Sequence, residues 1–458
     1  MHWFQLRTIT KIPGTYPNGF WTTLLLQTSR TEPAIFHALL TLSSAHRSEG
    51  REESMTNPLT SHEQNRFMLH NYSKAISCLQ PHFNRKVAAS SRVILVVCIV
   101  FTCLEFLRGN FKTAQAHLQN GLTVLQETNG YVCDGIMLLR AKDVTELWIL
   151  EMFHRLHVQV ELFHHTHHEK PSILLSYTPE AVITHFQSVK DAWTELDRIL
   201  YKIMILKGSA LRTNSPDIRI HQVEFLPHQL HIHNRLDEWR TMYESFRPTL
   251  GLQDPTFFLN AMITNYYTLA LILCSTSLST ELAYDSETSH FVNILSNSIH
   301  LWKLRPVQKV QRMRHDGAHS TVDFGWVPPL YYTAIKCRIR AIRIHAVRLL
   351  ESTFHREGIW DCWIGSRVAR KVMEMEDGEL YKNQDLGTLP LDAVPEIGEQ
   401  DRPTLPLERR WREIKVQLED EMADNVVVAY KVGCHGEEWE RVSVSLMDSP
   451  ANVCTEPA

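Results

Sequence analysis

Apolar positions recur every three to four residues over most of this chain, and the stop signals between them divide it into helices. Thr31-Glu32-Pro33 sets a capping residue and a proline at a helix start, and Ile35, Leu39 and Leu42 then share one face, so a helix is predicted that ends near Arg47. Ser61-His62-Glu63-Gln64 fits a capping box, and Met68, Tyr72, Ala75, Ile76 and Leu79 carry the next stripe up to a stop at Pro81. From Ser91 to Arg108 the chain is apolar nearly all round, the pattern of a central helix. Gly109-Asn110 then restarts it into Phe111, Ala114, Leu118, Leu122 and Leu125. Short turns between these helices imply antiparallel packing.

Downstream, further helices are predicted over Asp143 to Phe163, Pro179 to Leu206, Leu236 to Phe246, and from Asp254-Pro255 to Leu273. Asp323 to Trp363 reads as a turn, one long amphipathic helix and a second stop. Met375 to Leu407 is acidic, rich in Gly and Pro and weakly periodic, so it is expected to be a loop or tether and the place of greatest flexibility. A helix is expected over about Glu408 to Glu421. Beyond it, Val426 to Tyr430 and Trp439 to Leu446 read as strands of a small hairpin around the Gly433 to Gly436 turn, the single β element. The expected fold class is therefore all-α, an array of antiparallel helices. Its division is an N-terminal extension over 1–19, a helical domain over 20–375, the acidic loop over 376–407, a helix plus hairpin over 408–446 and a tail over 447–458.

Composition narrows the function classes. With 458 residues, length alone suits about three domains or one large helical array. At 44% hydrophobic and 21% charged the chain is of ordinary globular make-up. A formal net charge of −4 gives no global positive field, which disfavours autonomous nucleic-acid binding. The longest apolar run, Val93 to Leu104, meets Glu105 well short of the roughly 20 residues a bilayer needs, and reads as a core helix. The amino end lacks the charged and apolar regions of a secretory signal, so an intracellular, reducing compartment is expected. Cysteines at 78, 98, 103, 133, 274, 337, 362, 434 and 454 are scattered, and buried free thiols are the expectation.

Candidate chemistry is sparse. His154, His157, Glu161, His164 and His168 fall on one helical face at a spacing that suits zinc, but a solvated polar face accounts for them as well and is preferred. His221, His228, His231 and His233 lack register with a cysteine or carboxylate. Lys336, Arg340, Arg343 and Arg348 lie along one side of the predicted signature helix, opposite Ile335, Ile339, Ile342, Ala346 and Leu349. Such a stripe reads phosphate in some proteins; here it is expected to be solvated or paired with acidic residues, among which Glu351 and Asp361 are candidates. Cys98 and Cys103 sit in an apolar helix without further ligands. No G-x-S-x-G, G-x-G-x-x-G, P-loop or H-E-x-x-H motif is present. No catalytic, cofactor, metal or DNA-binding residue is assigned.

Pro328-Pro329, Lys336-Cys337-Arg338, Leu349-Leu350 and Arg356-Glu357-Gly358 resemble the C-terminal regulatory region of fungal binuclear zinc-cluster transcription factors. EPAIFHALLTLSSAHR, NYSKAISCLQPHF and FLRGNFKTAQAHLQNGLTVLQE resemble the helical segments of the same family. Arg343-Ile344-His345 stands where that family commonly carries two adjacent basic residues, and the six-cysteine DNA-binding head of the family is not found in this sequence. The resemblance implies a regulatory protein of the nucleus, with the cytoplasm as the alternative, not an enzyme, that acts through other transcription regulators or zinc-cluster proteins, as a homo- or heterodimer or with a small-molecule effector. No cofactor, membrane or direct nucleic-acid contact is implied. Two alternatives stand beside it: a truncated gene model of a complete zinc-cluster factor, and a small-molecule binder or enzyme on a helical array.

Overall fold

The computed structural model describes residues 1–14, 16, 18–48, 58–83, 88–133, 136–139, 141–164, 184–212, 218–247, 254–304, 320–353, 355–378, 389–398, 405–420, 424–433 and 438–447. The fold is mostly helical, as the periodicity predicts. Helices Pro33–Ser48, Pro58–Phe83, Ala88–Arg108 and Phe111–Asn129 form the first group. Val144–His164, Val189–Arg212, Ile218–Phe246, Asp254–Thr276 and Thr288–Leu304 follow, and Val327–Lys336, Arg340–Glu351 and Cys362–Asp377 complete the array. The 88–108 helix contacts the helices on both sides of it in sequence as well as 33–48 and 144–164. This explains its apolar circumference, from Leu95 through Ile99, Val100, Cys103, Leu104 and Phe106, all buried. Together with 254–276 it is long and apolar enough to cross a membrane, yet most of both helices is covered by protein.

Several expectations need correction. The segment over 1–19 is not a mere extension: Phe4 and Ile12 are fully buried, Thr8 bonds His46, and the carbonyl of Ile12 accepts from the N–H of Val322 at 2.9 Å. Pro81 does not stop its helix but sits in the last turn, where it costs a single backbone bond. The 218–246 helix starts well before Leu236 and holds Pro227 inside it. The helix expected from Pro179 starts at Val189, and residues 179–183 lie outside the described ones.

The C-terminus departs furthest from the expectation. Instead of a helix over 408–421 and a hairpin, strands β6 (Trp411–Gln417), β7 (Asn425–Val432) and β8 (Glu440–Ser445) form an antiparallel sheet in the order β6-β7-β8. Its registers, Ile414↔Tyr430 with Val416↔Val428 and Val426↔Val444 with Val428↔Val442, turn one apolar row inward onto the 362–377 helix. The alternation of Ile414 and Val416 with Lys415 and Gln417 has period two, which a helical reading of the charged flanks obscures. Two short β elements are also unforeseen: a hairpin of β1 (Gly130–Cys133) and β2 (Ile136–Leu139), and a sheet of β3 (Ser320–Thr321), β4 (Arg356–Glu357) and β5 (Trp360–Asp361).

Candidate functional site

The Asp323 to Trp363 block is two helices, not one. Val327–Lys336 ends at Cys337, whose extended backbone (φ −61°, ψ 141°) carries the chain through Arg338 and Ile339 into Arg340–Glu351. The break turns the Arg338 side chain inward. There its guanidinium donates to Glu376 at 3.2 Å and to Glu281 at 2.6 Å, and both Arg338 and Glu376 are fully buried. Lys336 donates to Glu281 at 2.7 Å and to the carbonyls of Trp411 and Arg412 at 2.8 and 3.0 Å. Arg343 donates to Glu376 at 2.6 Å and to the carbonyl of Ala334 at 2.8 Å, and the N–H of Trp411 completes the set by donating to Glu376 at 2.8 Å.

Three cations thus bond two carboxylates, and three backbone carbonyls accept further donors of Lys336 and Arg343. Burial raises a carboxyl, but Arg343 and Arg338 outweigh it and hold Glu376 below its ordinary range. Burial lowers Lys336 in spite of Glu281. Nearby, Arg410 donates to both carboxylate oxygens of Asp285, at 2.8 and 3.0 Å, and Trp411 stacks on Tyr430. The cluster is therefore a joint: it ties the helical body, through Glu281 and Lys336, to the first strand of the C-terminal sheet.

Two further carboxylates fix the ends of the block. Glu357 accepts from the N–H groups of Gly325, Trp326 and Val327 at 2.9, 2.8 and 3.1 Å, saturating donors at a helix start where Pro328 and Pro329 have none to offer. A Cβ on Gly325 would lie 1.9 Å from the Glu357 carboxylate, so this close approach requires glycine. Asp361 caps the next helix by accepting from Trp363 and Ile364 at 2.8 and 3.1 Å, and it pairs with Arg356.

Asp323 itself belongs to a second buried center. Arg155 donates to it at 2.8 and 2.6 Å, also pairs with Asp197, and lies 3.8 Å from the Tyr16 ring centroid. One guanidinium serves two carboxylates here, and burial pushes Asp197 up to about 7 and raises Asp323.

The histidine face falls otherwise than expected. His154 and Glu161 are buried, not solvated; burial lowers His154 to about 3 and raises Glu161 to about 7. His157 meets the Tyr201 ring edge-on, and His164 is hydrogen-bonded to Gln115 at 3.1 Å. His168 lies outside the described residues, among which no three His, Cys, Asp or Glu side chains group as metal ligands. His228 and His231 are exposed on the 218–246 helix, His233 lies 3.9 Å from Asp237, and the side chain of His221 is not among those described. Cys98 and Cys103 are buried thiols pushed up by burial, Cys98 to about 12.

The basic stripe is bonded throughout, buried at Lys336 and Arg343 and half-buried at Arg340 and Arg348. Lys336 and Arg343 end in the joint, Arg340 pairs with Asp377 at 3.1 Å, and Arg348 donates to the carbonyl of Leu389. The acidic candidates pair elsewhere: Glu351 holds Arg370 in a two-pronged bond, and Asp361 holds Arg356. Glu376 and Asp377, assigned to the acidic loop, close the 362–377 helix instead. The carboxylates that matter, Glu281, Glu376, Asp197 and Asp285, come from distant segments, and nothing local in the sequence singles them out. A shallow cleft of about 500 Å³, lined by Leu26, Arg30, Pro33 and Phe36 among others, lies far along the chain from these residues.

No curated protein and no solved structure matches this chain. A family model described as "Fungal specific transcription factor domain" matches residues 5–310, which includes the N-terminal segment that packs into the core and ends before the Asp323 block. The chain belongs to the family of fungal specific transcription factor domains.

Proposed function

We propose that this domain regulates transcription in the nucleus through contacts with partner proteins or a small effector, and that DNA contact is supplied from outside its folded body. The observation that carries this reading is the burial of the signature cations. Lys336, Arg338 and Arg343 neutralise Glu281 and Glu376, so they do not line a surface on which phosphates bind. The formal net charge of −4 points the same way, because counterion release from phosphates needs clustered exposed cations. Family membership and helical architecture support the regulatory part. The test pairs two measurements: duplex binding by the purified chain at low salt, and transcript profiles after deletion of the gene. Changed transcripts with no salt-sensitive duplex binding are expected. Tight binding of one duplex by the purified chain, or a deletion without effect on any transcript, overturns the reading.

A further inference from the structure

The cations of the C-terminal sheet are arranged in the opposite way to those of the joint. Register places Lys415 opposite Ala429, Ala429 opposite Arg441, and Glu413 opposite Lys431, all on the face turned away from the 362–377 helix. Val427 and Ser443 continue that face and are exposed. The Lys415 and Lys431 ammoniums lie 4.3 and 4.9 Å from the Trp439 ring centroid. Lys431 is paired with Glu413 at 3.1 Å, whereas neither Lys415 nor Arg441 has a carboxylate partner among the described residues.

Lys415, half-buried against the indole, and Arg441, exposed, thus put two cations without a carboxylate partner among the described residues on one sheet row, on either side of Ala429, in a chain of net negative charge. We propose that this face binds an acidic, extended segment of a partner protein. Charge complementarity selects the occupant. With strands about 4.8 Å apart, Lys415 and Arg441 are anchored about 10 Å from each other, and an extended peptide repeats its side chains on one face about every 7 Å, so long cationic side chains reach alternate carboxylates. Single-stranded nucleic acid fits less well: base stacking needs a free aromatic platform, and the indole of Trp439 is already engaged by two ammoniums.

This inference rests on the protein-contact reading and narrows it to one face. It is tested by fluorescence anisotropy on the full chain, with a labelled peptide rich in Asp and Glu with interspersed Leu and Phe, and with a single-stranded oligonucleotide of equal charge. Saturable peptide binding at low salt is expected, weakening as salt rises. The double variant Lys415→Glu and Arg441→Glu is expected to lose roughly tenfold in affinity with an unchanged circular dichroism spectrum. Absence of peptide binding, or equal binding by the variant, overturns the proposal. Oligonucleotide binding that exceeds peptide binding and is abolished by the same variant overturns it too, in favour of nucleic acid. If the peptide fails to bind while gene deletion still changes transcripts, this inference falls and the regulatory reading stands.

Discussion

Two cationic regions of this protein are built from the same residue types and do opposite things. At the joint, Lys336, Arg338 and Arg343 are sealed inside and matched to Glu281 and Glu376. On the sheet that the joint fastens, Lys415 is half-buried beside Trp439 and Arg441 is exposed, and neither has a carboxylate partner among the described residues. A basic run therefore says nothing of its role until its burial is known. Buried charges are tolerated only with partners, so the joint has a fixed geometry whose disruption is felt in the fold; exposed charges contribute little to stability and are free to meet another molecule.

The largest break in this contrast is expected from Arg338→Met, which leaves Glu376 and Glu281 with fewer partners inside. A loss of roughly 3–5 kcal/mol in urea unfolding is predicted. A loss as small as that of a surface change would show that the joint does not hold the fold together.

Acid and alkali probe the buried groups of the 144–164 helix with opposite signs. His154, lowered to about 3 from an ordinary 6.5, binds its proton more readily in the unfolded chain, so its contribution to stability is lost as pH falls from about 6.5. Glu161, raised to about 7 from 4.5, binds its proton more readily in the folded chain, so its contribution is lost as pH rises toward about 7. Between about 4.5 and 6.5 the two slopes oppose each other, each at most about 1.4 kcal/mol per pH unit. Thermal unfolding against pH is expected to tilt toward acid lability in Glu161→Gln and toward alkaline lability in His154→Gln. Identical profiles for both variants would remove these groups from the account.

Gly325→Ala drives a methyl group into the Glu357 carboxylate, and a cost of about 1–3 kcal/mol is expected in the same unfolding assay, as for overpacking elsewhere. The smallest effect belongs to the sheet: Lys415→Glu and Arg441→Glu each change stability by no more than about 0.5 kcal/mol. A large loss from either would mean that the face is internal to the fold.

Legibility followed the range of the interactions. The helices from Pro33 to Asn129 were readable because caps, turns and stripes such as Ile35, Leu39 and Leu42 act within a few residues. The apolar run from Val93 to Leu104 announced a core helix by its composition alone. The break at Cys337 was not readable, since what stabilises it, Arg338 on Glu281 and Glu376, spans 57 and 38 positions. Strand β6 is not legible because Trp411 to Gln417 alternates over too few residues to stand out against its charged flanks, and because β7, which pairs with it, comes later in the chain. For the histidine face, helical register places side chains on one side of the helix, but only the packing of Tyr201 and the surrounding helices decides that His154 and Glu161 are buried while His157 and His164 are half-buried.

Native-state hydrogen exchange reports whether the buried cations fasten the C-terminal sheet to the helical body. The amides of β6 and β7 are compared with those of the 88–108 helix in the parent chain and in Glu376→Gln, which keeps the shape of the side chain and removes its charge. A fall of roughly tenfold or more in protection across β6 and β7, with the 88–108 amides little changed, is the predicted result. Equal protection of the sheet in both proteins would contradict it.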